Sequence, residues 1–387
     1  MVYNRRRTTM KKTILMGIAA LVVCGSVNAT SWRVCSKPEA GANFTSVYAA
    51  VTSFSVQNGD TLYLEPGHYE PGDVAVSKSL TVIGPGYFFE ENTIDVLNPA
   101  CASLRGIRFD SINSSISGCV IYGNLDLFGA NCCAKNCAIK RNSFQDIAVD
   151  VRGANNILQQ CYIRGRVRIC TSTRFGTDGN AENSTIQNNI INGKFIASGV
   201  TGGLTIRNNV VVDDDNNSSF YDSYQDCTFP SNSYFNSNIY NNIIIRIDNR
   251  FYTVTTNQAI DTFYSKDYIF PADFTTISNN SVYNNILSCK NNSSYLNCVF
   301  NTNVDDVLIW NEANTLEEKY KHKANGPAVG AGVNGTTCGA YGAVNGSRPY
   351  QPAGIPQYRP YIYDAQIDDT PSSSNTINAS FKIKVQQ

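Results

Sequence analysis

The sequence predicts an all-β solenoid, and three observations carry that prediction. A short phrase recurs along the middle of the chain: a polar pair, then two or three apolar residues. It reads Gly118-Cys119-Val120-Ile121, Asn136-Cys137-Ala138-Ile139 and Gln160-Cys161-Tyr162-Ile163, then Asn189-Ile190-Ile191, Asn209-Val210-Val211, Asn242-Ile243-Ile244, Asn285-Ile286-Leu287 and Asn297-Cys298-Val299-Phe300. The copies share no helical spacing, so each is a short strand that adds one thin layer of core to a stack. About one residue in nine is Asn, a residue that tolerates left-handed turns.

Residues 43–51 open the fold with apolar side chains at helical spacing, Phe44, Val47, Tyr48 and Val51, and with Thr45 or Asn43 as the cap. Such a helix ahead of the first strand would cover the open end of the stack, where core and strand edges are otherwise bare. Asn58-Gly59-Asp60 is a turn. Thr61-Leu62-Tyr63-Leu64 is an alternating strand, and Leu80-Thr81-Val82-Ile83 is another, stopped by Gly84-Pro85-Gly86. Residues 100–305 are rungs, mostly 18 to 33 residues apart. Two long excursions leave them, 213–235 and 251–274. The Asn pairs 188–189, 208–209, 241–242, 279–280 and 284–285 are expected at equivalent turns, bonding along the stack. A short helix is expected within 311–320, a linker over 352–360, and two strands within 361–387, too few to fold alone. The division is therefore 1–29 leader, 30–352 solenoid with its N-terminal cap, and 353–387 linker and β tail.

The leader is read from a basic stretch, Arg5 to Lys12, an apolar run, Ile14 to Val23, and small residues at Val27 and Ala29, which predict cleavage after Ala29 and export. The run is about half the roughly 20 residues a membrane span needs. Cys24 follows Val23 where lipidation expects a small residue, so lipoprotein processing is not expected. The charges balance to zero and make up only 16% of the chain, which leaves no basic footprint for nucleic acid. Twelve of the thirteen cysteines lie beyond Ala29. Cys119, Cys137, Cys161 and Cys298 fall in the register that Ile190, Val210, Ile243 and Ile286 occupy in other copies, and are expected as buried, unpaired core thiols. Cys132, Cys133, Cys227, Cys289 and Cys338 lie outside that column and are expected in bridges or loops. There is no CxxC, and His68 and His322 are the only histidines, so zinc is not expected.

Three stretches together resemble the entry of the pectate-lyase-like right-handed parallel β-helix superfamily: Phe44-Thr45-Ser46-Val47-Tyr48-Ala49-Ala50-Val51, then Gly59-Asp60-Thr61-Leu62-Tyr63-Leu64-Glu65-Pro66-Gly67-His68-Tyr69, then Ser79-Leu80-Thr81-Val82-Ile83-Gly84-Pro85-Gly86. Residues 325–332 and 338–342 look like the closing coil of exported bacterial members. The resemblance implies a single-stranded right-handed parallel β-helix over roughly residues 40–352. It does not imply one activity, because the superfamily spans lyases, esterases, hydrolases, adhesins and inert spikes.

The chemistry of those families is incomplete here. Neither His sits in a Gly-His-Gly. Asp267-Tyr268-Ile269-Phe270-Pro271 and Gly346-Ser347-Arg348-Pro349-Tyr350 are near-misses to the esterase motifs, with Pro271 and Tyr350 at the wrong places. A lyase would need a Ca²⁺ held by carboxylates and a basic residue for proton abstraction. Asp213, Asp214 and Asp215 are the candidate metal ligands, and Arg246 and Arg250 lie about one coil later. Alternate side chains on a strand point opposite ways, so the three carboxylates cannot all face one ion. Phe220, Tyr221 and Tyr224 in the same excursion, with Arg246 and Arg250, make a candidate ligand surface with flat faces for sugar rings. The reading is an exported, non-catalytic surface or glycan-binding protein. A Ca²⁺-dependent polysaccharide lyase or other polysaccharide-degrading enzyme is the alternative. A structural adhesin, adding its C-terminal strands to a partner's sheet edge, is the third.

Overall fold

A computed structural model describes residues 29–87, 101–140, 147–170, 181–193, 195–198, 201–213, 234–247, 251–256, 259–264, 281–289, 291–311, 314, 317–343, 348–354, 360–367 and 379–385. The chain is a parallel β-helix. Ten short strands stack in parallel register as face A, from Ser31–Val34 through Cys133–Lys135 to Ser281–Tyr283. The chain then bends into face B, whose strands include Val120–Ile121, Ala138–Lys140, Tyr162–Arg164, Ile190–Asn192, Val210–Asp213, Ile243–Arg246 and Ile286–Leu287. Four strands form face C: Leu125–Leu127, Ile147–Val151, Arg166–Cys170 and Phe195–Ser198. The strand Ala102–Phe109 joins B to C, pairing Leu104 with Ile121 and Ile107 with Leu125.

The turns explain the Asn content. Each face A strand from Ser115–Ser117 to Asn238–Tyr240 is preceded, two residues back, by a left-handed residue: Asn113, Asn131, Asn155, Asn183, Gly203 or Asn236. A second follows each of these strands: Gly118, Asn136, Gln160, Asn188, Asn208 or Asn241. Their φ values run from 48° to 67°. An L side chain is strained there, and Asn and Gly are the usual occupants.

The residue after the second turn closes an internal ladder. Asn189, Asn209 and Asn242 each take the next coil's Asn Oδ1 on both backbone N–H and side-chain amide, at 2.9–3.0 Å. Each Nδ2 also donates back to a carbonyl one coil earlier, as Asn209 does to Ile186 at 2.9 Å. The cysteines belong to this ladder. Face B pairs Ala138 with Tyr162 and Tyr162 with Ile190, so Cys137 and Cys161 stand level with Asn189, one residue earlier than the apolar register assigned to them above. Cys161 donates its Sγ–H toward the Ala134 carbonyl at 3.7 Å, the direction in which an Asn amide points in later coils. Cys119, Cys137 and Cys161 are buried thiols outside any disulfide, whereas Cys298, at the last coil, is only partly buried. Burial pushes the Cys161 thiol well up. Cys132, Cys133, Cys289 and Cys338 form no disulfide either, and Cys227 lies outside the described residues.

The expected helix forms as Val47–Thr52, and its cap is Ser46, whose Oγ accepts from Ala49 N–H at 3.1 Å. Asn43 instead accepts the Arg33 N–H at 2.8 Å. Val47, Ala50 and Val51 enter the core while Tyr48 is exposed. The strand Ser31–Val34 precedes this helix and pairs with Thr61–Leu64, so the helix follows the first strand instead of leading it. Residues 311–320 hold only a 3₁₀ turn, Glu318–Tyr320, among those described, while a four-residue helix, Val304–Val307, lies earlier. The excursion after face B contains an antiparallel hairpin, Phe251–Thr256 with Ala259–Tyr264, and the tail forms another, Pro360–Ile367 with Ala379–Val385.

The 325–342 stretch does not act as a further coil. With the other described residues of 304–354 it forms a strap that runs back over the outside of face B. Val307, Leu308, Tyr320, Ala328, Cys338, Ala340 and Tyr350 pack there against the outward residues Val120, Ala138, Tyr162, Ile190, Val210, Ile243 and Ile286. The left-handed residues hold the strap in place: Asn284 bonds the Ala331 carbonyl, Asn241 accepts from Val333, Asn188 bonds Ala340 and Gly342, and Gln160 bonds Pro349. At its far end Tyr350 donates to Glu317 Oε1 at 2.5 Å and meets the Tyr87 hydroxyl.

Candidate functional site

Asp213 and Arg246 stand opposite each other in the register of adjacent face B strands. Val211 and Ile244, two residues earlier on each strand, are in the main core, so the pair lies on the interior side of the sheet. Both residues are almost wholly buried, and Arg246 Nε lies 3.9 Å from Asp213 Oδ2. A buried carboxylate beside a guanidinium has its charge matched. Asp214, Asp215, Phe220, Tyr221, Tyr224 and Arg250 lie outside the described residues. Among the described residues no three His, Cys, Asp or Glu side chains come together as a metal site.

Face A carries a polar column on its outside. Gln187 donates to Gln159 at 2.9 Å, Arg207 donates to Gln187 at 2.9 Å and to the Tyr240 hydroxyl at 3.1 Å, and the Tyr240 and Tyr283 rings stack at 4.9 Å. These groups bond one another along the axis, so the column laces the coils together.

Face C is different. Leu125 and Leu127, Val149 and Val151, Val167 and Ile169, and Ile107 and Phe109 all point into the core. The residue between each pair points outward and is charged: Arg108, Asp126, Asp150 and Arg168, side by side on four neighbouring strands. Arg152, two residues beyond Asp150 on the same side, reaches back between the two carboxylates.

Asp150 is 1% exposed and well served. It accepts from Arg152 Nη2 at 2.7 Å and from Arg168 Nε at 3.1 Å, with Arg168 Nη2 also against it. Asp126, 8% exposed, has less. Its Oδ2 lies 3.5 Å from Arg152 Nε, and its Oδ1 is buried without a hydrogen-bond partner. Burial, and then the charge of Asp150, push the Asp126 carboxyl up to about 7, against the pull of Arg152 and Arg108. Arg108 is the open edge of the column. Its Nε and Nη2 grip Asp110 at 2.7 and 2.9 Å, in a half-exposed pair.

Face C thus holds two neighbouring carboxyl groups in unlike surroundings, Asp150 gripped by two guanidinium groups and Asp126 pushed up to about 7. Groups separated in this way can bind an anion or move a proton. The sequence reading missed this site, although the signal was present: an apolar–charged–apolar triplet recurs at 107–109, 125–127, 149–151 and 167–169.

No protein-family model and no curated protein matches this chain. Among solved structures it is similar to pectate lyase Pel9A, at 12% identity over 82% of this chain and 97% of that one, with a TM-score of 0.34. It is the strand pairing above that establishes the parallel β-helix.

Proposed function

We propose that this is an exported β-helix protein that binds polysaccharide on face C and is not itself a catalyst. The observation that carries the reading is the outward column Arg108–Asp126–Asp150–Arg168 with Arg152 beside it. Guanidinium groups held in fixed orientation by carboxylates present donors to sugar hydroxyls and to anionic substituents. A parallel stack repeats such groups at a strand spacing of about 4.8 Å, which suits a linear ligand. Faces committed to stacking leave function to outward positions and to loops. Export is drawn from the leader of residues 1–29. The excursion with Phe220, Tyr221 and Tyr224, Arg250, and Ca²⁺ at Asp213, Asp214 and Asp215, belong to the same proposal as additional contacts. Within it, Asp213 has Arg246 as a neighbour and needs no ion to be buried.

A second reading, a polysaccharide-cleaving enzyme, is favoured by one observation: Asp126 lies beside Asp150 with its proton affinity raised. An adhesin reading draws on the two-stranded tail sheet, which offers an edge to a partner strand.

A glycan array with the wild type and with Arg108→Ala/Arg168→Ala tests the proposal. Binding in the wild type and at least tenfold weaker binding in the variant support it. Equal binding by both, or a blank array, overturns it. Rising ultraviolet absorbance on incubation with an anionic polysaccharide would replace it with the enzyme reading.

A further inference from the structure

Asp126 is a face C carboxyl group whose Oδ1 is buried without a hydrogen-bond partner. The described elements around it supply several charged neighbours. Ala102–Phe109 brings Arg108, with Asp110 just beyond. Its own strand is preceded by Asn124, whose buried Oδ1 also has no hydrogen-bond partner. Ile147–Val151 brings Asp150, followed by Arg152, and Arg166–Cys170 brings Arg166 and Arg168. Arg108, Arg152, Arg166 and Arg168 stand with Asp110, Asp126 and Asp150. With all three carboxyl groups ionised this set carries one net positive charge. With Asp126 neutral it carries two, and Arg152 is released from sharing between two carboxylates.

We propose that face C is a proton-coupled anion site, in which Asp126 must be neutral for a carboxylate or sulfate group to sit across Arg108, Arg152 and Arg168. The inference rests on face C being the ligand-binding face. It adds that the ligand's anionic groups are read there and that one proton is taken up with each. An ionised Asp126 competes with the ligand for Arg152 and repels it; a neutral one does neither and can donate its proton to an oxygen of the bound group. Proton and anion therefore favour each other's binding, as linkage requires. A carboxyl that is neutral at low pH makes the site strongest there, and the affinity declines above the pH at which Asp126 ionises.

Calorimetry with sulfate ion, polygalacturonate, dextran sulfate and uncharged dextran, at pH 6 and pH 8.5 and in two buffers of different ionisation heat, tests this. Because the Asp126 carboxyl is pushed up to about 7, the affinity for sulfate and polygalacturonate should fall about tenfold per pH unit above that value. Proton uptake should approach one per bound anion at pH 8.5. Asp126→Asn, uncharged at any pH, should bind with no pH dependence and no proton uptake. Wild-type affinity that is equal at pH 6 and 8.5, or a pH dependence that persists in Asp126→Asn, overturns the proposal. Should that variant misfold, ¹³C titration of the Asp126 carboxyl in the wild type decides: saturation with sulfate must raise its midpoint, and an unmoved midpoint overturns the proposal. Sulfate binding with the expected slope, but no polysaccharide binding, would retain the anion site and remove the glycan reading. Polysaccharide binding that ignores pH and charge would do the reverse.

Discussion

Faces B and C share a backbone and differ in one outward residue per coil. On face B that residue is Val120, Ala138, Tyr162, Ile190, Val210, Ile243 or Ile286, and the result is an apolar stripe. Left bare, such a stripe would be a large exposed hydrophobic patch. The strap 304–354 covers it, and the left-handed Asn residues alongside fasten the strap by their amides. On face C the same position holds Arg108, Asp126, Asp150 and Arg168. A charged column is costly to bury only where a charge is left without a partner, and Asp126 and Asp150 are both buried. The comparison teaches that in a stacked fold the interior decides the architecture, while an outward column decides whether a face is packed by apolar contacts or by charge pairs.

The comparison breaks first at Ile243, between face B and the strap. Ile243→Ala should lower stability by about 2–5 kcal/mol, read from the urea midpoint. A loss under about 1 kcal/mol would mean that the strap does not pack as a core element. On face C the largest effect is on pH dependence. The folded state holds the Asp126 proton up to about 7, well above the usual carboxylate value of 3.8. The group's favourable contribution is therefore complete below the unfolded value and is lost as pH rises toward 7. The loss is at most about 4 kcal/mol at about 1.4 kcal/mol per unit. Asp126→Asn should flatten this part of the profile of melting temperature between pH 4 and 7.5; a profile as steep as the wild type's would show that Asp126 is not the group responsible.

The ladder between the faces sharpens the contrast between cysteine and asparagine coils. Asn242→Ala leaves the Asn209 N–H and the Ile206 and Tyr240 carbonyls without its amide. It should cost about 1–3 kcal/mol, and Asn242→Cys, which restores a weak donor, should cost less. Equal losses would show that the Cys coils are not isosteric with the Asn coils. The smallest effect belongs to the surface. Arg33 and Glu65 form an exposed pair, and Arg33→Ala should change stability by about 1 kcal/mol at most.

Much of the architecture was legible in the order of residues. The Asn pairs 188–189, 208–209, 241–242 and 284–285 marked the turn after face A in their coils, because a left-handed residue followed by a bonding residue is a local requirement; the pair 279–280 lies outside the described residues. The alternation at 61–64 and 81–83 was visible for the same reason. Registration was harder. Reading Cys137 and Cys161 as small hydrophobes placed them one residue late, since their position is defined by a hydrogen bond to the neighbouring coil and not by apolarity. The preceding turn of each face A strand, at Asn113, Asn131, Asn155 and Asn183, was not recognised, although it repeats as strictly as the one that was.

The candidate site was less legible. Asp213 and Arg246 stood out as a carboxylate and a guanidinium one coil apart, and they do meet, but on the interior side of face B, a fact fixed by strand parity and the neighbouring coil. The charged triplets of face C were visible as a pattern without a meaning, because four short segments spread over some sixty residues of sequence become neighbours only when the coils stack.

By itself, then, the sequence determined the turns, the period and the apolar interior, all set by interactions within a few residues. The strap, the split between a covered and a charged face, and the raised proton affinity of Asp126 were decided only by tertiary structure. Burial and charge spacing are properties of side chains brought together from distant coils, and no segment carries them alone.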